Sequence, residues 1–347
     1  MNRGRERRMN IDEWKGVWVL AEQRSGRIDS VSFELIQKAK ELKMQLKSSE
    51  PVTAVIIGNG IEKLTEELGE YGAEEVIVID DPALEMFNNE IYSLILTDLI
   101  KKRKPEILLI GATISGQDIA SMLGVRLGTG VATHSVGLHI DEDNNLVSAV
   151  PAFGGKVIGD IICPKHRPQI ATVKPGILEK GQKMQGNKFK TIRYDPSDII
   201  KKDKGCIKAL AVHKKEYKGI PLQEAKVVVA GGFGIGSKGN WNLLRKLAQL
   251  LGGTVGCSRP VVDEGWIPDD HCMIGTSGKT IRPKLYIGFG ISGSTHHVCG
   301  MKDSDVIISI NKDENAPIFN VSDVGVVGDA EIILKDLIEK IEKLKSM

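Results

Sequence analysis

The sequence predicts an α/β protein of two domains, each with a mainly parallel sheet flanked by helices. Three observations carry this. The chain has 347 residues, and at about 150 residues per domain that leaves room for two cores. Short apolar runs alternate with segments of helical spacing, the pattern of parallel strands covered on both faces. Glycine is frequent, with 38 residues and no collagen-like period, and 17 of them lie between Gly231 and Gly328.

The elements follow in order. Gly16 to Glu22 reads as a buried strand and Val31 to Leu46 as a helix; Val52 to Gly58 is a strand and Ile61 to Tyr71 an amphipathic helix. Val76 to Asp80 is a third strand, Asn89 to Arg103 a helix, Ile107 to Gly111 a strand and Gly116 to Leu127 a helix. From Leu138 to Gly176, short strands broken by Asp-Asn-Asn, Gly-Gly and Pro predict an antiparallel addition to the first sheet. Gly181 to Gln223 is Lys-rich and weakly patterned, as an excursion or linker would be. A second alternation opens at Lys226, with strands at Val227–Ala230, Leu285–Gly290, Val306–Ile310 and Val324–Val327 and helices at Trp241–Leu251 and Ala330–Lys345. The expected division is a basic tail (1–10), an N-terminal domain (11–205), a linker (206–223) and a C-terminal domain (224–347).

Composition narrows the function. Lys and Arg total 47 against 45 Asp and Glu, a net charge of +2, which argues against a dedicated nucleic-acid binder. No stretch reaches the ~20 apolar residues of a membrane span, and the charged start lacks a signal-peptide core, so a cytoplasmic protein is expected. Five scattered cysteines without a C-x-x-C pair argue against a disulfide framework, a structural zinc or a cysteine-held cluster. His134, His139 and His166 lack metal-ligand spacing and read as structural, and Cys257, Cys272 and Cys299 read as small fillers.

Chemistry concentrates in the second half. The run Ala230 to Trp241, AGGFGIGSKGNW, puts glycines directly after a strand, where the missing Cβ lets backbone N–H groups approach a phosphate. Alone, this is equally a plain strand-to-helix turn. Further loops follow strand-like segments: Ser258-Arg259, Gly275 to Lys279, Gly290 to His297 and Ile310 to Asp313. Several loops converging on one sheet edge describe a nucleotide site.

Long blocks then resemble one family. GCSRPVVDEGWIP (256–268), IGTSGKTIRPKLYIGFGISG (274–293), HHVCGMKDS (296–304) and ISINKDENAPIFNVSDVGVVGD (308–329) resemble the FAD domain of the electron-transfer flavoprotein alpha subunit. WVLAEQRSGRI, GATISGQDIA, VRLGTGVATHS, PAFGG and ICPKHRPQIATVKPG in the first half extend the likeness over nearly the whole chain. The resemblance implies a Rossmann-like second domain holding one FAD, and a beta subunit that carries a second FAD or AMP. It implies that Arg259, with Ser258, lies over the flavin and favours its reduced, negatively charged form. Ser277 would supply a hydroxyl near N5, with its neighbours Thr276 and Gly278 also binding the cofactor. Ser292 and Gly293 would form the phosphate-facing loop, with Gly234, Gly290 and Ser294 also binding the cofactor; His297 would sit near O2 as a positive or hydrogen-bonding imidazole; Asn311 and Asp329 would serve the AMP half. It further implies electron exchange with an acyl-CoA dehydrogenase-type flavoenzyme.

Four blocks, AEQRSGRI, RLGTG, PAFGG and CPKHRPQIATVKPG, resemble the electron-bifurcating class, in which NADH reduces the beta-subunit flavin and one electron reaches ferredoxin or flavodoxin. The chain departs from the family at Phe233, where Gly-Gly-Arg-Gly is usual, at Gln117 and Val150, at Thr276-Ser277 in place of Gln-Thr, and by one extra residue near His271. The alternatives are a non-bifurcating carrier, a stand-alone nucleotide-cofactor enzyme, which lacks a nucleophile–base pair, and a structural partner without flavin.

Overall fold

The computed structural model describes residues 10–152, 157–202, 205, 207, 209–211, 219–267 and 270–346. The basic tail up to residue 9, Phe153–Gly155 of the PAFGG block, half of the expected linker and Pro268 lie outside the described residues. The chain divides into two compact units, residues 1–213 and 214–347.

In the first unit, strand β1 (Val17–Ala21) is buried along its whole length and runs into a small hairpin, β2 (Gln23–Arg24) and β3 (Arg27–Ile28). Helix α1 (Ser30–Gln45) starts where the Asp29 side chain accepts from Val31 N. Strand β4 (Thr53–Gly58), helix α2 (Leu64–Glu70), strand β5 (Glu75–Asp80) and helix α3 (Asn89–Arg103) follow. Asn88 caps α3 at its start, and Lys101, Lys102 and Arg103 sit at its negative end. Strand β6 (Ile107–Gly111) leads to α4 (Ile114–Leu127), capped by Thr113.

The strands alternate their side chains between two cores. Val17, Val19, Ala54, Ile56, Ile107 and Leu109 join α1 on one face. Trp18, Leu20, Val55, Ile57, Leu108 and Ile110 join α3 and α4 on the other. This period-two burial on both faces is what near-continuous apolar strands require.

The region after α4 differs from the sequence expectation. Strands β7 (Val131–Ser135), β8 (Gly137–Ile140), β9 (Leu146–Ala152), β10 (Val157–Ile161) and β11 (Gln169–Val173) follow. The antiparallel part is a separate sheet, β10-β9-β8, and not an extension of the first. β11 instead enters the main sheet in parallel between β6 and β7. The Lys-rich excursion also contains structure: β12 (Lys190–Arg193) pairs with β5, and a short helix α5 (Ser197–Lys202) follows. Phe189 delivers β12 by packing onto Gly69, where an added Cβ would stand 2.1 Å from the ring. The main sheet has the order β12-β5-β4-β1-β6-β11-β7.

The second unit has strands β13 (Val227–Gly231), β14 (Thr254–Cys257), β15 (Leu285–Phe289), β16 (Ile307–Asn311) and β17 (Val324–Val327). They form one parallel sheet of order β14-β13-β15-β16-β17. β14 was not predicted. Helix α6 (Trp241–Leu250) links β13 to β14, α7 (Arg259–Asp263) and α8 (Thr295–Val298) are short, and α9 (Ala330–Lys345) follows β17. α6 and α9 cover one face through Leu244, Leu247, Leu334 and Ile338. Loops and turns cover the other through Ile274, Ile281, Ile291, Met301 and Ile318.

Candidate functional site

In the second unit the chain passes from β13 to β14 on one side and then returns to place β15 on the other side of β13. Such a crossover leaves a crevice beyond the strand ends, the usual ligand position in an open α/β sheet. Here it is a cleft of about 370 Å³ lined by residues that include Gly234, Ser258, Gly290, Ser292, Asn311 and Asp329.

The loops around the cleft continue the sheet's hydrogen bonding past its edge. Gly232 N donates to Phe289 O at 2.8 Å, Gly234 N to Gly290 O at 3.0 Å, and Gly290 N to Ile310 O at 2.8 Å. The approach needs glycine: Gly290 has φ +62°, and a Cβ there would lie 2.4 Å from the Gly234 carbonyl carbon. Asn311 fixes its loop by donating from Nδ2 to Ile291 O at 2.9 Å. Asp329 caps α9, its Oδ1 accepting from Glu331 N at 2.9 Å. Asn240, almost fully buried, bridges the Phe233–Ile235 turn and α9, donating to Ile235 O at 2.7 Å and to Glu331 Oε2 at 2.8 Å.

Donors remain for a ligand. Ser258 stands at the start of α7 with no side-chain capping bond, so its hydroxyl is not spent on the helix. The cleft-lining N–H groups of Phe233 and Ser292 donate to no backbone acceptor among the described residues. Lys312 adds a cation to the wall, and Asp329 and Glu331 place carboxylates at the α9 end. N–H groups, a free hydroxyl and a cation in one cleft are the donor set a dinucleotide's phosphates need. The residues present therefore fit the phosphates of a dinucleotide such as FAD.

Seven of the residues expected at the site lie elsewhere than on the cleft lining. Arg259 is exposed beside it and forms an ion pair with Asp263 at 3.4 Å. Thr276 and Ser277 are exposed on a turn that is tied to α8, with Thr276 N donating to His296 O at 2.8 Å. Gly278 closes that turn onto Gly275 O at 3.0 Å. Gly293 is packed against Ile318, and Ser294 precedes α8 without a side-chain cap.

His297 stands in α8. It is only 4% exposed, and its Nε2 lies 2.8 Å from the Tyr286 hydroxyl. Burial holds its pKa down at about 4, against the opposing effect of a hydrogen bond with the Ile274 backbone. The ring is therefore neutral at physiological pH, and of the two forms the resemblance allows, positive or hydrogen-bonding, it is the second that this burial favours. Burial also pushes the Tyr286 phenol up, so it stays protonated.

Sequence reasoning missed Asn240, Tyr286, Pro260 and Glu331. Pro260 and Glu331 line the cleft; Asn240 and Tyr286 act from behind it. Only Asn240 had a signal, as the last residue before the apolar helix. Phe233, noted only as a departure, lines the cleft and stacks on Trp266 with ring centroids 5.4 Å apart. Among the described residues no group of His, Cys, Asp and Glu is placed to hold a metal ion, and no helix is long and apolar enough to cross a membrane.

Two family models match the chain. Residues 17–199 match the electron transfer flavoprotein domain, and residues 221–302 the electron transfer flavoprotein FAD-binding domain. The chain is 42% identical to the electron transfer flavoprotein subunit alpha of Thermoanaerobacterium thermosaccharolyticum, over 96% of this chain and 100% of that one. It is 41% identical to the protein FixB of Clostridium saccharobutylicum over 97% and 99%. It is 37% identical to the acryloyl-CoA reductase electron transfer subunit beta of Anaerotignum propionicum over 97% and 98%.

Proposed function

Because the chain belongs to the electron-transfer flavoprotein alpha-subunit family, we propose that it holds one FAD in the cleft of its second unit and passes electrons between protein partners. The carrying observation is the crossover cleft whose wall combines Gly234, Ser258, Gly290, Ser292, Asn311 and Asp329. When bound, FAD supplies the ring system that takes up and releases electrons. The chain's residues orient it. The N–H groups of Phe233 and Ser292 and the Ser258 hydroxyl face the phosphates. Asn311 and Asp329 hold the nucleotide end, and Arg259 swings from its exposed ion pair to place a cation by the ring. Thr276, Ser277, Gly278, Gly293, Ser294 and His297 complete the surround.

On this reading residues 11–205 form the base that joins a beta subunit, 206–223 link, and 224–347 carry the flavin, in the cytoplasm where NADH and ferredoxin are at hand. Co-expression with the beta subunit should yield a yellow heterodimer with one FAD in this chain. A pure heterodimer that takes up no flavin would overturn the proposal.

A finer reading is that the complex bifurcates electrons from NADH, through a second FAD in the beta subunit, to ferredoxin or flavodoxin and to an acyl-CoA dehydrogenase-type enzyme. Its support is the AEQRSGRI, RLGTG and CPKHRPQIATVKPG blocks. A relative named as the electron transfer subunit beta of an acryloyl-CoA reductase supports the enzyme partner. The decisive observation is anaerobic reduction by NADH. A heterodimer that NADH leaves oxidised, or that carries AMP in the beta subunit, is instead a carrier loaded by dehydrogenases.

A further inference from the structure

Phe233 is 56% exposed, yet the turn that carries it is firmly held. Ile235 N donates to Gly232 O and Gly236 N to Phe233 O, each at 3.2 Å. Ile235 is buried beneath the turn, and Asn240 holds its carbonyl. The ring's plane is fixed as well. It stacks on Trp266 with centroids 5.4 Å apart and planes 21° from parallel. Trp266 is a firm backing: it packs against the core formed with α6 and α9, and its backbone N donates to Val261 O at 3.2 Å. One face of Phe233 therefore rests on Trp266, and the remainder of the ring borders the cleft.

Charge decides what suits that surface. The face of a phenyl ring is the negative part of its quadrupole, so it repels phosphate oxygens and accepts a flat ring by stacking. A flavin dinucleotide has two flat rings, and two observations choose the adenine. Asn240 fastens the Phe233–Ile235 turn to Glu331 at the start of α9, donating to Ile235 O at 2.7 Å and to Glu331 Oε2 at 2.8 Å. Asp329 and Glu331 line the cleft there, and Asp329 with Asn311 is given to the nucleotide end. Arg259 and the Thr276–Gly278 turn, given to the flavin ring, lie off the lining. The cleft, at about 370 Å³, also stands near the small end of ligand pockets, which run from about 300 to 1,000 Å³, and so matches a nucleotide half.

We propose that the Phe233 ring, backed by Trp266, is the platform on which the adenine of the bound dinucleotide stacks; this rests on the FAD reading above. The backbone N–H and the ring of one residue then serve neighbouring parts of the same nucleotide, its phosphate and its base. Because the backing is already in place, the ring loses little freedom when the base arrives. Stacking reads no hydrogen-bonding edge, so the platform supplies affinity for a flat base without choosing among bases.

The test uses the full-length chain freed of flavin, with FAD, AMP and FMN as separate probes. Calorimetry gives the affinities. NMR on protein with 13C-labelled phenylalanine rings looks for through-space cross-peaks to the adenine H2 and H8 protons, with Phe233→Leu identifying the signal. The wild type with FAD should show that cross-peak. Phe233→Leu should bind FAD and AMP about tenfold more weakly, and Phe233→Tyr should restore the wild-type affinity. FMN, which lacks the adenine, should bind all three proteins equally. Bound FAD without a cross-peak between its adenine and Phe233 overturns the proposal, whatever the variants do. FMN weakened by Phe233→Leu while AMP is not would give the ring to the flavin, which also overturns it. A wild type that takes up no FAD removes the parent reading and this one with it. A wild type that takes up FAD while Phe233→Leu binds FAD and AMP unchanged removes the platform alone.

Discussion

Both units place a crossover at the centre of a parallel sheet, between β1 and β6 in the first and between β13 and β15 in the second. In the second, glycines bring two loops together and a cleft opens beyond them. In the first, the corresponding space is filled from within. Glu22 follows β1 and accepts from the Thr113 hydroxyl through Oε2 at 2.6 Å. A Cβ on Gly111 would come within 2.6 Å of Oε1, and one on Gly116 within 2.9 Å. The same residue type at the same topological place thus admits a side chain in one unit and leaves room for a ligand in the other. A crossover makes a crevice; what lines it decides whether anything can enter.

The largest expected effect comes from closing the open crevice. Gly290→Val drives a branched side chain into the Gly234 backbone and should destabilise the second unit by about 4 kcal/mol and abolish flavin uptake. Gly236→Ala is the control, since that position has φ +85° but open space around it, and it should cost only about 1 kcal/mol. Equal losses in thermal unfolding would show that the close approach of the loops is unimportant.

Buried groups in the two units should also respond to acid in opposite directions. His297 has its pKa lowered to about 4 in the folded chain, so the unfolded chain binds the extra proton first. Its contribution is complete above pH 6.5 and is lost as the pH falls towards 4, roughly 3 kcal/mol in all. Urea unfolding of the second unit over that range, with His297→Gln as the reference, measures it; parallel curves would refute it.

Glu22 has the other sign. Burial raises its pKa to about 7, with Thr113 and Arg24 pulling down and Asp29 pushing up. The folded state therefore holds a proton that the unfolded state releases, and stability is lost as the pH rises from 4.5 through 7. Glu22→Gln should stabilise the first unit at pH 8 by about 1 to 2 kcal/mol, after discounting for partial exposure, and should flatten its pH profile. A variant less stable than wild type at pH 8 contradicts the filled crevice as a strained one.

The smallest stability effect is expected at Arg259. Its ion pair with Asp263 is exposed, at 67% and 59%, so Arg259→Gln should change unfolding by less than about 0.5 kcal/mol. Flavin affinity or potential should shift all the same. A variant altered in neither would remove Arg259 from the site.

Strands with long apolar runs were legible in the sequence because burial on both faces writes itself into composition. β12 was not, since Lys190 and Arg193 are exposed at the sheet edge and pairing is set by Phe189 finding Gly69. β14 was missed for its brevity and its internal glycine. Half of the candidate site was legible as loops after strands, which is why Ser258, Gly290, Ser292 and Asn311 reach one cleft. The Tyr286–His297 couple was not: the two residues stand eleven apart, and only the fold brings a phenol and an imidazole together and dries both. Glu22 was hidden for the same reason, because a carboxylate at a strand end reads as solvated until its neighbours are known.

Asn240 ties the cleft turn to Glu331, 91 residues further along. During synthesis at about 5 to 20 residues per second, the turn therefore waits roughly 5 to 18 seconds for the helix that holds it. The first unit can be complete by then. The order of manufacture is thus written into one side chain: the first unit forms first, and the cleft is completed only when α9 has emerged.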